Sequence, residues 1–119
     1  MTDNDTSKRR RAGRAVRAEE IIKAALTLAG EHGYTVVTRE QIAEAAKCSS
    51  SLVGKYFGEM GEMRSHIMRA AVDYANAEVV LQGLVTKHPL ALAASEELKN
   101  ACARVLYDTS GAQLSDLEA

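Results

Sequence analysis

A chain of 119 residues with 46% hydrophobic and 26% charged side chains is sized and composed for one small globular unit, not for two independent cores. Aromatic content of 4% and a single proline favour helix over sheet, so the expectation is an all-α fold. The formal net charge of −1 hides an asymmetry: residues 1–69 hold 12 Lys+Arg against 9 Asp+Glu, and residues 70–119 hold 3 against 7.

Cys48 and Cys102 are too few and too far apart for a disulfide framework, and neither has a histidine or second cysteine at metal-ligand spacing. No metal and no cofactor is expected. The polar, basic N-terminus has no apolar signal region, and no segment approaches the ~20 apolar residues of a bilayer span, so a cytoplasmic location without membrane association is expected.

In chain order, residues 1–13 read as a basic, disordered arm containing Lys8, Arg9, Arg10 and Arg11, with helix setting in near Arg14. Ile21, Ala25 and Leu28 recur at helical spacing, and Ile22, Leu26 and Ala29 repeat it one step round. This predicts a first helix, with Glu19 and Glu20 in its early turns and Gly33 as its left-handed terminator.

Thr38 and Gln41 form a T-x-x-Q capping box that opens a second helix, whose apolar face is Ile42, Ala43 and Ala46. A turn at Lys47 and Cys48 hands over to Ser49, a good N-cap for a third helix carrying Leu52, Val53 and Phe57. Residues 38–57 therefore read as two short helices joined by a tight turn, a helix-turn-helix. The second of them offers Ser50, Ser51, Lys55 and Tyr56 as hydrogen-bonding and cationic groups.

Beyond Gly58 a fourth helix is expected to run to about Val85, with Met63, Ile67, Ala70, Ala71 and Tyr74 as apolar positions. Pro89 suits the first turn of a fifth, with Leu92, Leu98, Ala101, Cys102, Val105 and Leu106 buried. Residues 108–119 read as a flexible tail. The expected organisation is a basic arm (1–13), a helix-turn-helix head (14–58), a two-helix dimerisation extension (59–107) and that tail.

These residues resemble the N-terminal DNA-binding domain of TetR-type transcriptional repressors over roughly Arg14 to Met68. The resemblance is carried by the order and spacing of Ile22, Ala25, Gly33, Tyr34, Thr38, Ile42, Ala43, Ala46, Ser49, Phe57 and Met63. It implies that the helix from Ser49 to Phe57 enters the major groove while its partner lies across the backbone. Thr38 and Arg39 would then contact phosphate, Ser50, Ser51 and Leu52 would face base edges, and Lys55 and Tyr56 would reach phosphate or the groove wall. Ser49 stands at the entry of that helix. Arg14 and the arm before it would neutralise phosphates or reach a minor groove.

The chemistry agrees with the resemblance. Serine hydroxyls donate or accept and so read any base weakly, Leu52 can pack on a thymine methyl, and lysine or arginine adds salt-dependent affinity without reading sequence.

Three positions depart from the family pattern: Lys47 where a turn glycine is usual, Gly54 in place of a phosphate-binding tyrosine, and Met60 in place of a lysine. The shortness of the part after Gly58 implies a minimal dimerisation extension without an enclosed small-molecule effector pocket.

The expected function is a sequence-specific DNA-binding regulator, a repressor occupying a palindromic operator on double-stranded DNA as a homodimer. No nucleophile, base and orienter can be assembled from the spacing of its histidines, cysteines and carboxylates, so an enzyme is not expected. The alternative is a helix-turn-helix fold that has lost its DNA contacts and docks on another protein, for which Gly54 and Met60 speak.

Overall fold

The computed structural model describes the backbone of residues 2–118 and the side chains of residues 13–107. The described chain is all-helical: α1 (Thr2–His32), α2 (Arg39–Ala46), α3 (Ser50–Phe57), α4 (Met60–Asp73), α5 (Ala77–Val85), α6 (Pro89–Leu92) and α7 (Glu96–Glu118).

In α1 the expected stripe is the one that packs. Ile21, Ala25 and Ala29 are fully buried, Ile22 and Leu26 nearly so, and Leu28 half-buried. The helix ends at Gly33, whose φ of 100° only glycine adopts cheaply and whose N–H bonds Ala29 O at 2.8 Å. Its start differs from expectation, because the helix begins at Thr2 and not near Arg14. Lys, Arg and Ala are good helix formers, and no proline interrupts them; Gly13, with open space around it, does not break the run. The side chains of Lys8, Arg9, Arg10 and Arg11 lie outside the described residues.

The long fourth helix expected to reach Val85 is divided. α4 ends at Asp73, Ala75 turns left-handed at φ 54°, and Asn76 caps α5 by accepting from Val79 N at 3.2 Å. The fifth is divided likewise: Pro89 does open α6, but that turn stops at Leu92, and Ser95 caps a separate α7 by accepting from Leu98 N at 3.2 Å. Four helices, not two, therefore follow the first three, and α7 carries its backbone helix through the stretch read as a tail.

Met63, Ile67, Met68, Ala70 and Ala71 of α4 join Val79 and Val80 of α5, and Leu98 and Cys102 of α7, in the same buried cluster as the residues of α1 and α2. Three positions expected inside are outside: Tyr74, Leu92 and Leu106 are each about half exposed. Tyr74 and Leu92 stand at the ends of α4 and α6, and Leu106 lies beyond Cys102, the last buried residue of α7 among the described side chains.

Small residues set the closest crossings of this half. A Cβ on Gly83 of α5 would stand 2.6 Å from the Met68 thioether and 2.7 Å from Ala91 Cβ, so only a bare backbone fits between α4 and α6. The Cys102 thiol donates to Ala77 O at 3.4 Å, and burial pushes its pKa up, which keeps it a packed, protonated thiol.

A polar clasp joins α1 to α5. The Gln82 side-chain amide accepts from Tyr34 N at 2.8 Å and donates to Ala29 O at 2.9 Å. The buried Tyr34 ring directs its hydroxyl to Thr86 Oγ1, and Thr86 in turn bonds Gln82 O at 3.0 Å.

Candidate nucleic-acid interface

The helix pair is built from its caps inward. Thr38 Oγ1 accepts from Gln41 N at 3.2 Å while Gln41 Oε1 accepts from Thr38 N at 3.0 Å, a complete capping box. Ile42 and Ala43 are the buried residues of α2. The turn then closes with Lys47 at φ 58°, ψ 48°, and Cys48 N bonding Ala43 O at 2.9 Å. The usual turn glycine is absent, yet the left-handed conformation is kept, at the cost a Cβ imposes there.

Ser49 accepts from Leu52 N at 3.1 Å and so starts α3 as its N-cap. Its Oγ is used as an acceptor within the chain, leaving the hydroxyl proton to give elsewhere. Val53 is the one buried residue of α3, with Phe57 half-buried one turn on and in edge contact with His66 of α4 at 5.2 Å between centroids. Opposite this anchor, Ser51 and Lys55 stand four residues apart and exposed, flanked by half-buried Ser50, Leu52 and Tyr56. Of the expected reading residues only Ser51 and Lys55 share the exposed face; Ser50 stands at helical spacing with Val53 and Phe57, and Tyr56 packs against the core. Thr38 is exposed at the adjoining N-terminus of α2.

Arg14 is exposed on α1, beyond the packed part of that helix, and Arg17 pairs with Glu20 at 3.4 Å. Met60, standing where a lysine is usual, packs half-buried at the start of α4.

Arg39 occupies an unexpected place. Its Nη2 donates to Gly58 O at 2.9 Å, and its guanidinium lies against Gly54. The family resemblance implies phosphate for Arg39 and a lost contact at Gly54; no pattern within a helix indicates a bond that spans 19 residues. The only written signal is the coincidence of a long cation at 39 with glycines at 54 and 58.

Among the described residues no group of three or more His, Cys, Asp and Glu side chains is placed to hold a metal ion, and no helix is long and apolar enough to cross a membrane.

A capped helix, a three-residue turn with Lys47 left-handed and a second capped helix with a polar outer face define a helix-turn-helix domain. Residues 21–67 match the family described as bacterial regulatory proteins, tetR family. This chain is similar to that family over those 47 of its 119 residues, the stretch that holds the helix-turn-helix. It is also 34% identical over 74 residues to the HTH-type transcriptional regulator HbdR of Aromatoleum sp. (strain CIB), a match covering 62% of this chain and 32% of that protein. The chain thus spans about a third of the length of this relative. No solved structure matches it.

Proposed function

We propose that this chain is a DNA-binding transcription regulator that acts as a repressor by occupying a palindromic operator as a homodimer. The observation that supports this most is α3, anchored by Val53 and Phe57 and offering Ser51 and Lys55 on its exposed face. In this reading α3 lies in the major groove, where Ser50, Ser51 and Leu52 meet base edges. Lys55, Tyr56, Thr38 and the amino end of Ser49 meet phosphate and groove wall, and Arg14 adds a cation on the flank.

A single head makes few contacts. Two heads related by a two-fold axis would read half-sites about 34–36 Å apart or a multiple of that spacing. The α4 face expected to form the dimer is already spent inside the chain, since Met63, Ile67, Ala70 and Ala71 are buried. What supports a dimer now is the outer side of α7 and its approach, where Leu92, Leu106 and Tyr107 stand 48%, 53% and 75% exposed.

Selection of bound fragments from random DNA tests the proposal: a two-fold motif is expected, and no enrichment would overturn it. The protein-docking alternative draws support from Arg39, whose guanidinium is engaged within the chain. Replacing Ser50, Ser51 and Lys55 together by Ala separates the two, because a DNA reader loses its selected fragments while a docking module keeps its activity.

A further inference from the structure

We infer that Arg39 is a positioning residue for α3, and that Gly54 is bare because the Arg39 guanidinium lies on it. The inference rests on the DNA-binding reading for its functional consequence and on geometry alone for the clamp itself.

The helix pair α2 and α3 is closed at one end by the turn through Lys47 and Cys48. Arg39 closes the other end, running from the first residue of α2 to the C-cap of α3, where it donates to Gly58 O at 2.9 Å. Gly58 N bonds Gly54 O at 2.8 Å, so the last turn of α3 and the arginine are joined through the one residue Gly58. A Cβ on Gly54 would lie 3.1 Å from Arg39 Nη1 and 3.2 Å from Cζ, tighter than ordinary contact. Swinging the guanidinium aside would break the Nη2 bond to Gly58 O, the contact that holds it over Gly54 although its buried Nε has no partner.

Electrostatics explains why the side chain takes this path. A cation at the first position of α2 opposes the positive end of that helix dipole, whereas the carbonyl end of α3 attracts it. Its bond to Gly58 is charge-assisted, and the planar guanidinium fits flat on a residue without a side chain. Gly58, with φ 79° and ψ −150°, is itself confined to glycine, and a Cβ there would also meet the Glu62 carboxylate. Gly54 leaves room for the guanidinium and Gly58 supplies the carbonyl it bonds, so one contact at the end of α3 ties that helix to α2.

The test is a double-substitution cycle on the full chain with Arg39→Ala, Gly54→Ala and both together, plus Arg39→Lys. Without DNA, Gly54→Ala is expected to lower the thermal midpoint when Arg39 is present and to raise it when residue 39 is alanine, since alanine is then only a better helix former. On fragments selected from random DNA by the unaltered chain, each single substitution is expected to weaken binding about tenfold relative to nonspecific DNA, with the pair regaining part of the loss. Arg39→Lys should not rescue, because a point charge cannot both reach Gly58 and lie flat.

Additive effects of the two substitutions on the thermal midpoint overturn the clamp. Full rescue by lysine overturns it too, and marks Arg39 as a plain phosphate contact. If the unaltered chain selects no fragments, the DNA reading fails, and the sign change in thermal midpoint still decides the clamp.

Discussion

The helix-turn-helix head and the α4–α7 half draw on one buried cluster but differ in what they leave outside. Around α2 and α3 the outward residues include Thr38, Glu40, Glu44, Ser51 and Lys55, on two helices that each start at a side-chain cap. Beyond Asp73 the outward residues include Tyr74, Val85, Leu92, Leu106 and Tyr107, which are five of the seven large apolar side chains exposed among the described residues. One half keeps a precisely capped polar surface, and the other keeps apolar area in reserve. The lesson is that burial does not separate the halves; surface chemistry does.

The strongest way to break that comparison is to cut the shared core from each side. Ile42→Ala in α2 and Ile67→Ala in α4 remove fully buried side chains, and each should cost about 2–5 kcal/mol. Chemical denaturation followed by circular dichroism should show one transition in both variants. Two separated transitions would mean that the halves fold apart.

Gly83→Ala sharpens the contrast next, since its Cβ would press on Met68 and Ala91. A loss of about 1–3 kcal/mol is expected, against the usual gain for glycine-to-alanine in a helix. The same assay reads it.

Lys55→Ala probes the polar face alone. Being exposed, it should change stability by less than about 0.5 kcal/mol, yet weaken DNA binding uniformly across sequences and reduce the salt slope by about 1. Titration at several salt concentrations measures both.

Ala75→Gly and Lys47→Gly relieve left-handed residues at the ends of α4 and α2, one in each half. Each is expected to stabilise by about 0.5 kcal/mol, the smaller glycine strain being partly offset by a freer unfolded chain. A thermal melt distinguishes a gain from a loss.

The smallest effect concerns acid. Glu19 is held below the usual carboxylate range by Lys23, then by the Tyr74 hydroxyl, with contacts of 3.2 Å to each. A lowered folded-state value means the contact stabilises above the unfolded carboxylate range and is lost as pH falls through the folded one. Glu19→Gln should therefore flatten the acid limb of the stability profile slightly, because the group is exposed.

Much of the head is legible in the sequence because its ends are written in local residues. The T-x-x-Q box and Ser49 declare themselves within four positions, and the stripe of Ile21, Ala25 and Ala29 declares a buried face. The corners at Ala75 and Ala93 are not legible, since alanine is the best helix former and nothing in it announces a left-handed or terminal residue. Their partners Asn76 and Ser95 are good caps, but a cap alone does not end the helix before it. Arg39 illustrates the other limit: within its own helix it reads as a free cation, and only the fold brings Gly54 and Gly58 beneath it.

The Gln82 amide carries a consequence for modularity. The backbone N–H of Tyr34, on the approach to the capped α2, is satisfied by a side chain that lies 48 positions further on. A head excised after Gly58 would surrender that partner along with the Thr86 contact to the Tyr34 hydroxyl. A graft of residues 21–67 onto a foreign scaffold would leave the Tyr34 N–H and hydroxyl without these two partners unless the new scaffold supplied its own.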